Sequence, residues 1–137
     1  MKKNILSIFL PIMLFVFIAN EAHSQTTYNM CSSGTSFTIT DSSGTLYDSG
    51  GPGGVYQTYE DCSLLVAPPC AVSITLTFSV FNTESGFDYL YVYDGQTTAA
   101  PLVLTGNGTT IPGPVTCTSG YMLIVWHSDV SITYDGF

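Results

Sequence analysis

Three acidic residues are the best candidates for chemistry in this sequence. Glu84 and Asp88 lie in the stretch FNTESGFDYLYVYDG that begins at Phe81, and Asp129 lies in the segment WHSDVS that begins at Trp126. We expect all three side chains at strand ends. The chain has only two basic residues, both within its first three positions, and a buried carboxylate without a positive partner is strongly destabilising. The pattern therefore predicts either a bound metal cation or a set of solvated loop acids.

The first 24 residues have the pattern of a secretory signal peptide. Lys2 and Lys3 precede an apolar run over residues 5–18, and the small residues Ala22 and Ser24 stand before a predicted cleavage site at Gln25. A membrane anchor is the alternative, but the run is shorter than the roughly 20 residues that a bilayer span needs. We therefore expect a protein that is secreted or at the cell surface, with no membrane insertion after cleavage.

The rest of the chain is strongly acidic. All but one of the ten acidic residues follow position 24, and the whole chain has a formal net charge of −8. Nucleic acids and anionic membranes bind proteins through lysine and arginine, so both are excluded as partners. The length suits one domain, which we assign to residues 31–137 after a short N-terminal linker at residues 25–30.

Alternating apolar and polar residues make Val72–Phe81 the most secure strand prediction, with one face buried. Phe87–Tyr93 and Tyr121–His127 are apolar or aromatic at nearly every position, as central strands are. Weaker strand signals occupy Phe37–Thr40, Ser63–Ala67, Leu102–Thr105 and Val130–Tyr134. Turn residues separate these segments, and none has a helical period. The sequence therefore predicts an all-β sandwich of antiparallel strands.

All four cysteines lie in the exported part of the chain, at Cys31, Cys62, Cys70 and Cys117. An even number in an oxidising compartment favours disulfides, and the wide spacing argues against a zinc site. Spacing alone leaves the connectivity open.

Two further groups of residues bear on function, a row of tyrosines and a histidine next to a serine. Tyr89, Tyr91 and Tyr93 occupy one face of a predicted strand, where they either stack on a sugar or protein partner, or pack beneath a neighbouring strand or cover one face of the sheet. His127 is the one histidine after the predicted cleavage site, and nothing places Ser128 beside it as a nucleophile with a base. We therefore expect no enzyme activity.

The order of several motifs resembles a CUB domain over residues 31–137. The motifs are Cys31, YDSGG, VAPP, FNTE, DYLYVYDG, LTGNG, YMLIVWHSD and a terminal GF. The resemblance implies a jelly-roll-like sandwich of two antiparallel sheets that serves extracellular proteins as an interaction module, often attached to secreted enzymes. It also implies a disulfide between Cys31 and Cys62.

The same resemblance implies a calcium site. Carried over residue by residue, the ligands become Glu84, Asp88 and Asp129, with Ser131 contributing a backbone carbonyl and Tyr56 hydrogen-bonding the glutamate. Calcium takes about six to eight oxygen ligands, which loops at one end of a sandwich supply. Solvated loop acids remain the alternative interpretation.

The sequence departs from the family at several points. The loop Ser85–Phe87 is short and lacks the cysteine of the usual second bridge, so we expect a Cys70–Cys117 disulfide instead. Ile132 stands where the family often has asparagine. In the family, GF opens a last strand, whereas this sequence stops at Phe137, so we expect a fragment of a longer protein or a sandwich without that strand.

These observations predict a secreted, non-enzymatic interaction module with calcium-braced loops that bind an extracellular protein, for instance through a lysine. The first alternative is a carbohydrate-binding or adhesion module that uses the three tyrosines. The second is the accessory domain of a larger secreted hydrolase.

Overall fold

A computed structural model describes residues 25–32 and 34–137, so the predicted signal peptide lies outside the described residues. Within those two ranges the chain forms nine strands and no helix. The strands are β1 (Thr26–Asn29), β2 (Ser36–Ile39), β3 (Gly44–Tyr47), β4 (Asp61–Val66), β5 (Ile74–Leu76), β6 (Tyr89–Tyr93), β7 (Leu102–Gly106), β8 (Val115–Cys117) and β9 (Met122–His127). A search of the same residues for a helix able to cross a membrane finds none.

One layer of the molecule is a five-stranded sheet in the order β2-β4-β9-β6-β7. Its central strand β9 pairs antiparallel with β4 and with β6, and His127 lies opposite both Asp61 and Tyr89. Alternate residues point inward and form the centre of the hydrophobic core. The largest of them are the fully buried side chains of Trp126, Leu64, Leu90, Met122 and Ile124.

The second layer consists of two separate pairs of strands, β1-β3 and β5-β8. Leu46 of β3, Ile74 of β5 and Val115 of β8 pack against the core of the five-stranded sheet. This arrangement confirms the predicted all-β sandwich. Two pairs, β1-β3 and β2-β4, are nevertheless parallel, because a longer crossover rather than a hairpin joins their strands.

The segment Val72–Phe81 is a shorter strand than the alternation predicts. Only Ile74–Leu76 pairs, and it pairs with β8 alone. Leu76 and Phe78 face the core but are half-buried, whereas Val72 and Val80 are 82% and 50% exposed. The prediction of a buried face is therefore correct for Leu76 and Phe78 but wrong for Val72 and Val80. No described strand pairs with the other edge of β5, so the ends of the segment stay exposed.

Two other segments differ from the sequence interpretation. The supposed linker at residues 25–30 contains β1, and Met30 is fully buried. The predicted strand Val130–Tyr134 is an irregular loop, held at one end by a hydrogen bond from the Tyr56 amide to the Tyr134 carbonyl at 3.3 Å. The sequence interpretation did not include the short strands β3 and β8. Glycine and threonine in β3, and threonine in β8, give them only a weak strand pattern.

The structure contains the predicted disulfide between Cys31 and Cys62, with a Cα–Cα distance of 5.4 Å. It closes a loop that should stabilise the fold by roughly 3 to 4 kcal/mol in the chain-entropy model. The expected Cys70–Cys117 disulfide is wrong. Cys117 is buried in the core, where burial and then the charge of Asp94 raise its pKa to about 11, whereas Cys70 lies in an exposed turn.

Candidate metal centre at the loop end

A single tight turn brings Glu84 next to Asp88. The Asp88 amide donates to the Glu84 carbonyl at 3.1 Å, which closes one helical turn. Gly86 has a φ of 85°, a conformation that glycine adopts without strain. The short Ser85–Phe87 loop therefore still places both carboxylates at the start of β6.

Asp129 reaches the same place from the end of β9. The Tyr59 amide donates to the Asp129 carbonyl at 2.7 Å. The Asp129 amide in turn donates to Asp88 Oδ1 at 2.8 Å. Backbone hydrogen bonds thus fix the loop after β9 against the carboxylate that precedes β6.

The structure brings together the three carboxylates that the sequence singled out. One oxygen from each of Glu84, Asp88 and Asp129 lies within 4.8 Å of the others. Asp88 is fully buried and the other two are half-buried. Glu84 Oε2 is buried and has no hydrogen-bond partner among the described residues, so it is an acceptor that they shield from water and leave unsatisfied.

Tyr56 supports the cluster through hydrogen bonds to Asp88 and to the backbone of Glu84. Its buried hydroxyl donates to Asp88 Oδ2 at 2.5 Å and accepts from the Glu84 amide at 3.1 Å. It therefore contacts the backbone of Glu84 rather than its carboxylate. Burial, and then the hydrogen bond to Asp88, raise the pKa of Tyr56, which keeps the phenol protonated as a donor.

The electrostatics of the cluster are unfavourable for a third negative charge. Loss of solvent, followed by the charges of Asp129 and Asp88, raises the pKa of Glu84 above its usual value. Like charges at this spacing oppose ionisation, and a cation would reverse the effect.

The loop after Asp129 adopts a defined and strained shape. The amide of the exposed Ser131 donates to Asp129 Oδ1 at 2.9 Å. Ile132 follows with a φ of 53°, which is unusual for a β-branched residue. Ser131 thus contacts the cluster through its backbone amide.

Thr83 is a supporting residue that the sequence reasoning missed. Its fully enclosed hydroxyl donates to the Asp88 carbonyl at 3.3 Å and accepts from the Gly108 amide at 2.9 Å. It thereby connects the start of β6 to the turn after β7. A threonine is too common in loops for its type alone to have indicated this role.

The three tyrosines lie on the outer face of the five-stranded sheet, opposite the buried Leu90 and Val92. All three are half-buried, and the rings of Tyr89 and Tyr91 are stacked with centroids 5.7 Å apart. They therefore cover part of this outer face, which is one of the packing alternatives that the sequence left open.

The residues at the end of β9 form no nucleophile–base arrangement in the described part of the chain. His127 Nδ1 lies 2.7 Å from Asp61 Oδ1. The buried Ser128 hydroxyl donates to the Gln57 carbonyl at 2.7 Å and accepts from the Glu60 amide. Its hydrogen bonds therefore hold a loop rather than meet an imidazole.

The fold and this acidic end define a disulfide-bonded β-sandwich with a loop-borne carboxylate cluster. The model of the CUB domain family matches residues 31–137. The chain therefore belongs to the CUB domain family, as the sequence motifs predicted.

Relatives of known sequence agree with this assignment. Human multiple epidermal growth factor-like domains protein 8 is 38% identical over 85 residues, which are 61% of this chain and 3% of that protein. Exoskeleton protein RP43 of Riftia pachyptila is 31% identical over 90 residues, 62% of this chain and 21% of that protein. The chain thus spans a small part of the length of these relatives.

Solved structures share the fold. The CUB1-EGF-CUB2 domains of rat MASP-1 match with a TM-score of 0.56 and 19% identity, covering 76% of this chain and 38% of that one. The MASP-1 CUB2 domain bound to Ca2+ matches with a TM-score of 0.54 and 19% identity, covering 63% of this chain and 80% of that one.

Proposed function

We propose that this protein is a secreted, non-enzymatic interaction module whose calcium-braced loops bind a protein partner. The observation that carries the proposal is the convergence of Glu84, Asp88 and Asp129 within 4.8 Å in a chain with no lysine or arginine after position 3. A divalent cation supplies the missing positive charge.

The residues present fit calcium rather than a softer metal. All three side chains offer carboxylate oxygens, the ligand type that Ca²⁺ prefers. The unpartnered Glu84 Oε2 would gain a ligand bond. The exposed Ser131 stands beside Asp129, so its carbonyl is available to complete the set. Bound calcium would neutralise the cluster and hold the loops after Glu84 and Asp129 together.

The support from known proteins concerns the metal and the class of module. A structural neighbour, the MASP-1 CUB2 domain, is bound to Ca2+, and the tolloid-like protein 2 of Mus musculus is 28% identical over 108 residues. We propose the same metal here. A partner with an accessible lysine would suit this site. The ammonium group of the lysine would complement the negative charge that remains on the three acids around the bound cation.

Calcium titration by calorimetry of residues 25–137, with thermal melts in calcium and in EDTA, tests the metal site. We expect binding at one site and a higher melting temperature in calcium. Asp129→Ala should lose both effects. Asp135→Ala is the matched control, since it removes an exposed aspartate outside the cluster and should retain both.

Equal calcium responses in the wild type and Asp129→Ala would contradict the site. The partner class has a separate test: a lysine-rich peptide should bind in calcium and dissociate in EDTA. Peptide binding that ignores EDTA would place the interaction elsewhere on the acidic surface.

The tyrosine face supports a second candidate function, a carbohydrate-binding or adhesion module. The observation in its favour is the stacked pair of Tyr89 and Tyr91, whose planes lie 16° apart on the outer face of the sheet. Flat aromatic surfaces of this kind stack on sugar rings. A glycan array probed with the wild type and Tyr91→Ala should show lost binding in the variant if this face is used. Attachment to a larger secreted hydrolase remains a prediction that longer sequence would test.

A further inference from the structure

The turn between the first two acids of the metal centre, residues 84–88, is held by the segment that follows β7. We refer to residues 84–88 as the acid-bearing turn. Asn107 comes directly after β7, and its side-chain oxygen Oδ1 accepts the Gly86 amide at 3.1 Å. The next carbonyl, that of Gly108, accepts the Thr83 amide at 2.9 Å. One short segment therefore contacts the acid-bearing turn at its tip and just before its first residue.

The pairing of β6 with β7 fixes where this segment lies. Gly106, the last residue of β7, is opposite Leu90 of β6, so Asn107 lies beside the residues that lead into β6. Gly108 is buried with a φ of 78°, and its amide donates to the Thr83 hydroxyl at 2.9 Å. The five-stranded sheet is thus a rigid base from which the Asn107 side chain reaches the acid-bearing turn.

The tip of the acid-bearing turn has little other support. Ser85, Gly86 and Phe87 are all exposed. A Cβ atom on Gly86 would meet no heavy atom within 4 Å beyond its neighbours in the described chain. Among the described residues, the Gly86 amide donates only to Asn107. The side chain of Asn107 is therefore the contact that keeps the tip in place.

A contact at this position bears on metal binding. Glu84 lies close to the like charges of Asp88 and Asp129, so without a cation repulsion favours movement of Glu84 away from the other two acids. A turn that had opened in this way would have to be ordered again when an ion binds, which lowers the affinity. The hydrogen bond from Gly86 to Asn107 opposes the movement without adding a charge.

We propose that Asn107 is a positioning residue of the metal centre, which holds the acid-bearing turn in its binding shape before the ion arrives. The inference rests on the calcium site of the proposed function. Asn107 acts through the turn, because it is not one of the three clustered carboxylates. Replacing a residue that orients metal ligands without touching the ion typically lowers metal affinity about 10- to 100-fold.

Calcium titration by calorimetry of variants of residues 25–137 tests the proposal. Leucine resembles asparagine in shape and lacks an acceptor, so Asn107→Leu should bind calcium about tenfold more weakly than the wild type. Asn107→Ala removes the same acceptor without adding an apolar group, and it should weaken binding to the same extent. Asn107→Asp keeps an oxygen for the Gly86 amide and should bind at least as tightly as the wild type.

A double variant separates the acceptor from the charge that the aspartate adds. Asn107→Leu combined with Thr109→Asp places a carboxylate at an exposed position of the same segment but leaves the Gly86 amide without its acceptor. This double variant should bind calcium about tenfold more weakly than Asn107→Asp. Thermal melts in EDTA are the second readout. The melting temperatures should differ little among the variants, because the hydrogen bond between Gly86 and Asn107 is exposed.

The outcomes distinguish the positioning role from the metal centre itself. Equal calcium affinities of the wild type and Asn107→Leu would overturn the positioning role alone. Equal affinities of Asn107→Asp and the double variant would also overturn it, since charge would then explain the difference. A wild type that binds no calcium would overturn the proposed metal centre, and the positioning role with it.

Discussion

Asp48 and Asp88 are both fully buried near strand ends, yet their surroundings differ. Asp48 accepts one backbone amide at each oxygen, from Gly50 at 2.7 Å and from Phe137 at 2.9 Å. Asp88 accepts the Tyr56 hydroxyl and the Asp129 amide, and it also faces two more carboxylates. Fixed backbone donors compensate the first charge within the fold, whereas the second belongs to a cluster in which three carboxylates oppose one another's ionisation.

The sequence around Asp48 is adapted to this compensation. A Cβ atom on Gly136 would lie 1.8 Å from Asp48 Oδ2, and Gly136 has a φ of 70°. Only glycine fits both restrictions. Burial raises the pKa of Asp48, while the amides of Phe137 and Gly50 oppose that rise. Asp48 is therefore a structural carboxylate that holds the C-terminal residues in the core.

The same substitution at both positions should separate their roles, because in EDTA only the Asp48 variant should lose much stability. In Asp48→Asn one oxygen becomes an amide nitrogen, which faces the N–H of Gly50 or Phe137, and neither backbone group can turn away. We expect a loss of about 2 to 3 kcal/mol in the free energy of unfolding, equal in calcium and in EDTA. Urea unfolding measures it, and a loss that disappears in calcium would contradict a purely structural role.

Asp88→Asn should behave in the opposite way. The Tyr56 hydroxyl can rotate to accept from the new amide, and the substitution removes repulsion with Glu84 and Asp129. We expect little change in unfolding free energy in EDTA but loss of the calcium contribution, which is about 2.7 kcal/mol when calcium is 100-fold above its dissociation constant. Urea unfolding in both buffers measures the two quantities. A large loss in EDTA would show that Asp88, like Asp48, mainly holds the fold together.

The calcium effect should also depend on pH through Glu84, since loss of solvent and the charges of Asp129 and Asp88 raise its pKa in the fold above the usual value. Without calcium, the folded chain retains this proton to higher pH than the unfolded chain, so the contribution of Glu84 to stability falls as pH rises through that window. Calcium would compete with the proton for the Glu84 carboxylate. The difference in melting temperature between calcium and EDTA should therefore be larger at pH 7 than at pH 4.5.

Glu84→Gln provides the control for this pH dependence. The variant cannot release a proton at this position, so its calcium response should be weak and should change less between the two pH values. Equal calcium shifts of the wild type at pH 7 and pH 4.5 would mean that Glu84 does not bind the ion.

The sequence predicted the five-stranded layer better than the other one. Phe87–Tyr93 and Tyr121–His127 are apolar or aromatic at nearly every position because their strands are central, and they correspond to β6 and β9. The second layer was harder, since β1, β3 and β8 are short strands at open edges, where pairing rather than side-chain pattern fixes the backbone. The Cys70–Cys117 disulfide failed for a similar reason, because spacing does not reveal that Cys117 points into the core.

At the candidate metal centre, the sequence and its family resemblance indicated the three acids that lie together, but not the residues that support them. Carboxylates without basic partners are conspicuous in this composition, and all three converge. Asp48 is also an acid near a strand end, but its role depends on the amides of Gly50 and Phe137, which lie 2 and 89 positions away. Residue type does not show which backbone amides a carboxylate will accept, so these contacts could not be predicted from the sequence.

The smallest predicted effect concerns Ile132, which lies in the loop that carries Asp129. A β-branched residue at a φ of 53° is strained, whereas asparagine tolerates this conformation. Since Ile132 is 54% exposed, its side chain gives little burial in return. Ile132→Asn should therefore raise the free energy of unfolding by about 1 kcal/mol, measured by urea unfolding. Val130→Asn, at an equally exposed position without a positive φ, should not. Because the strain belongs to the backbone, the gain should be the same in EDTA and in calcium, and a gain confined to calcium would mean that the loop takes this shape only around the ion.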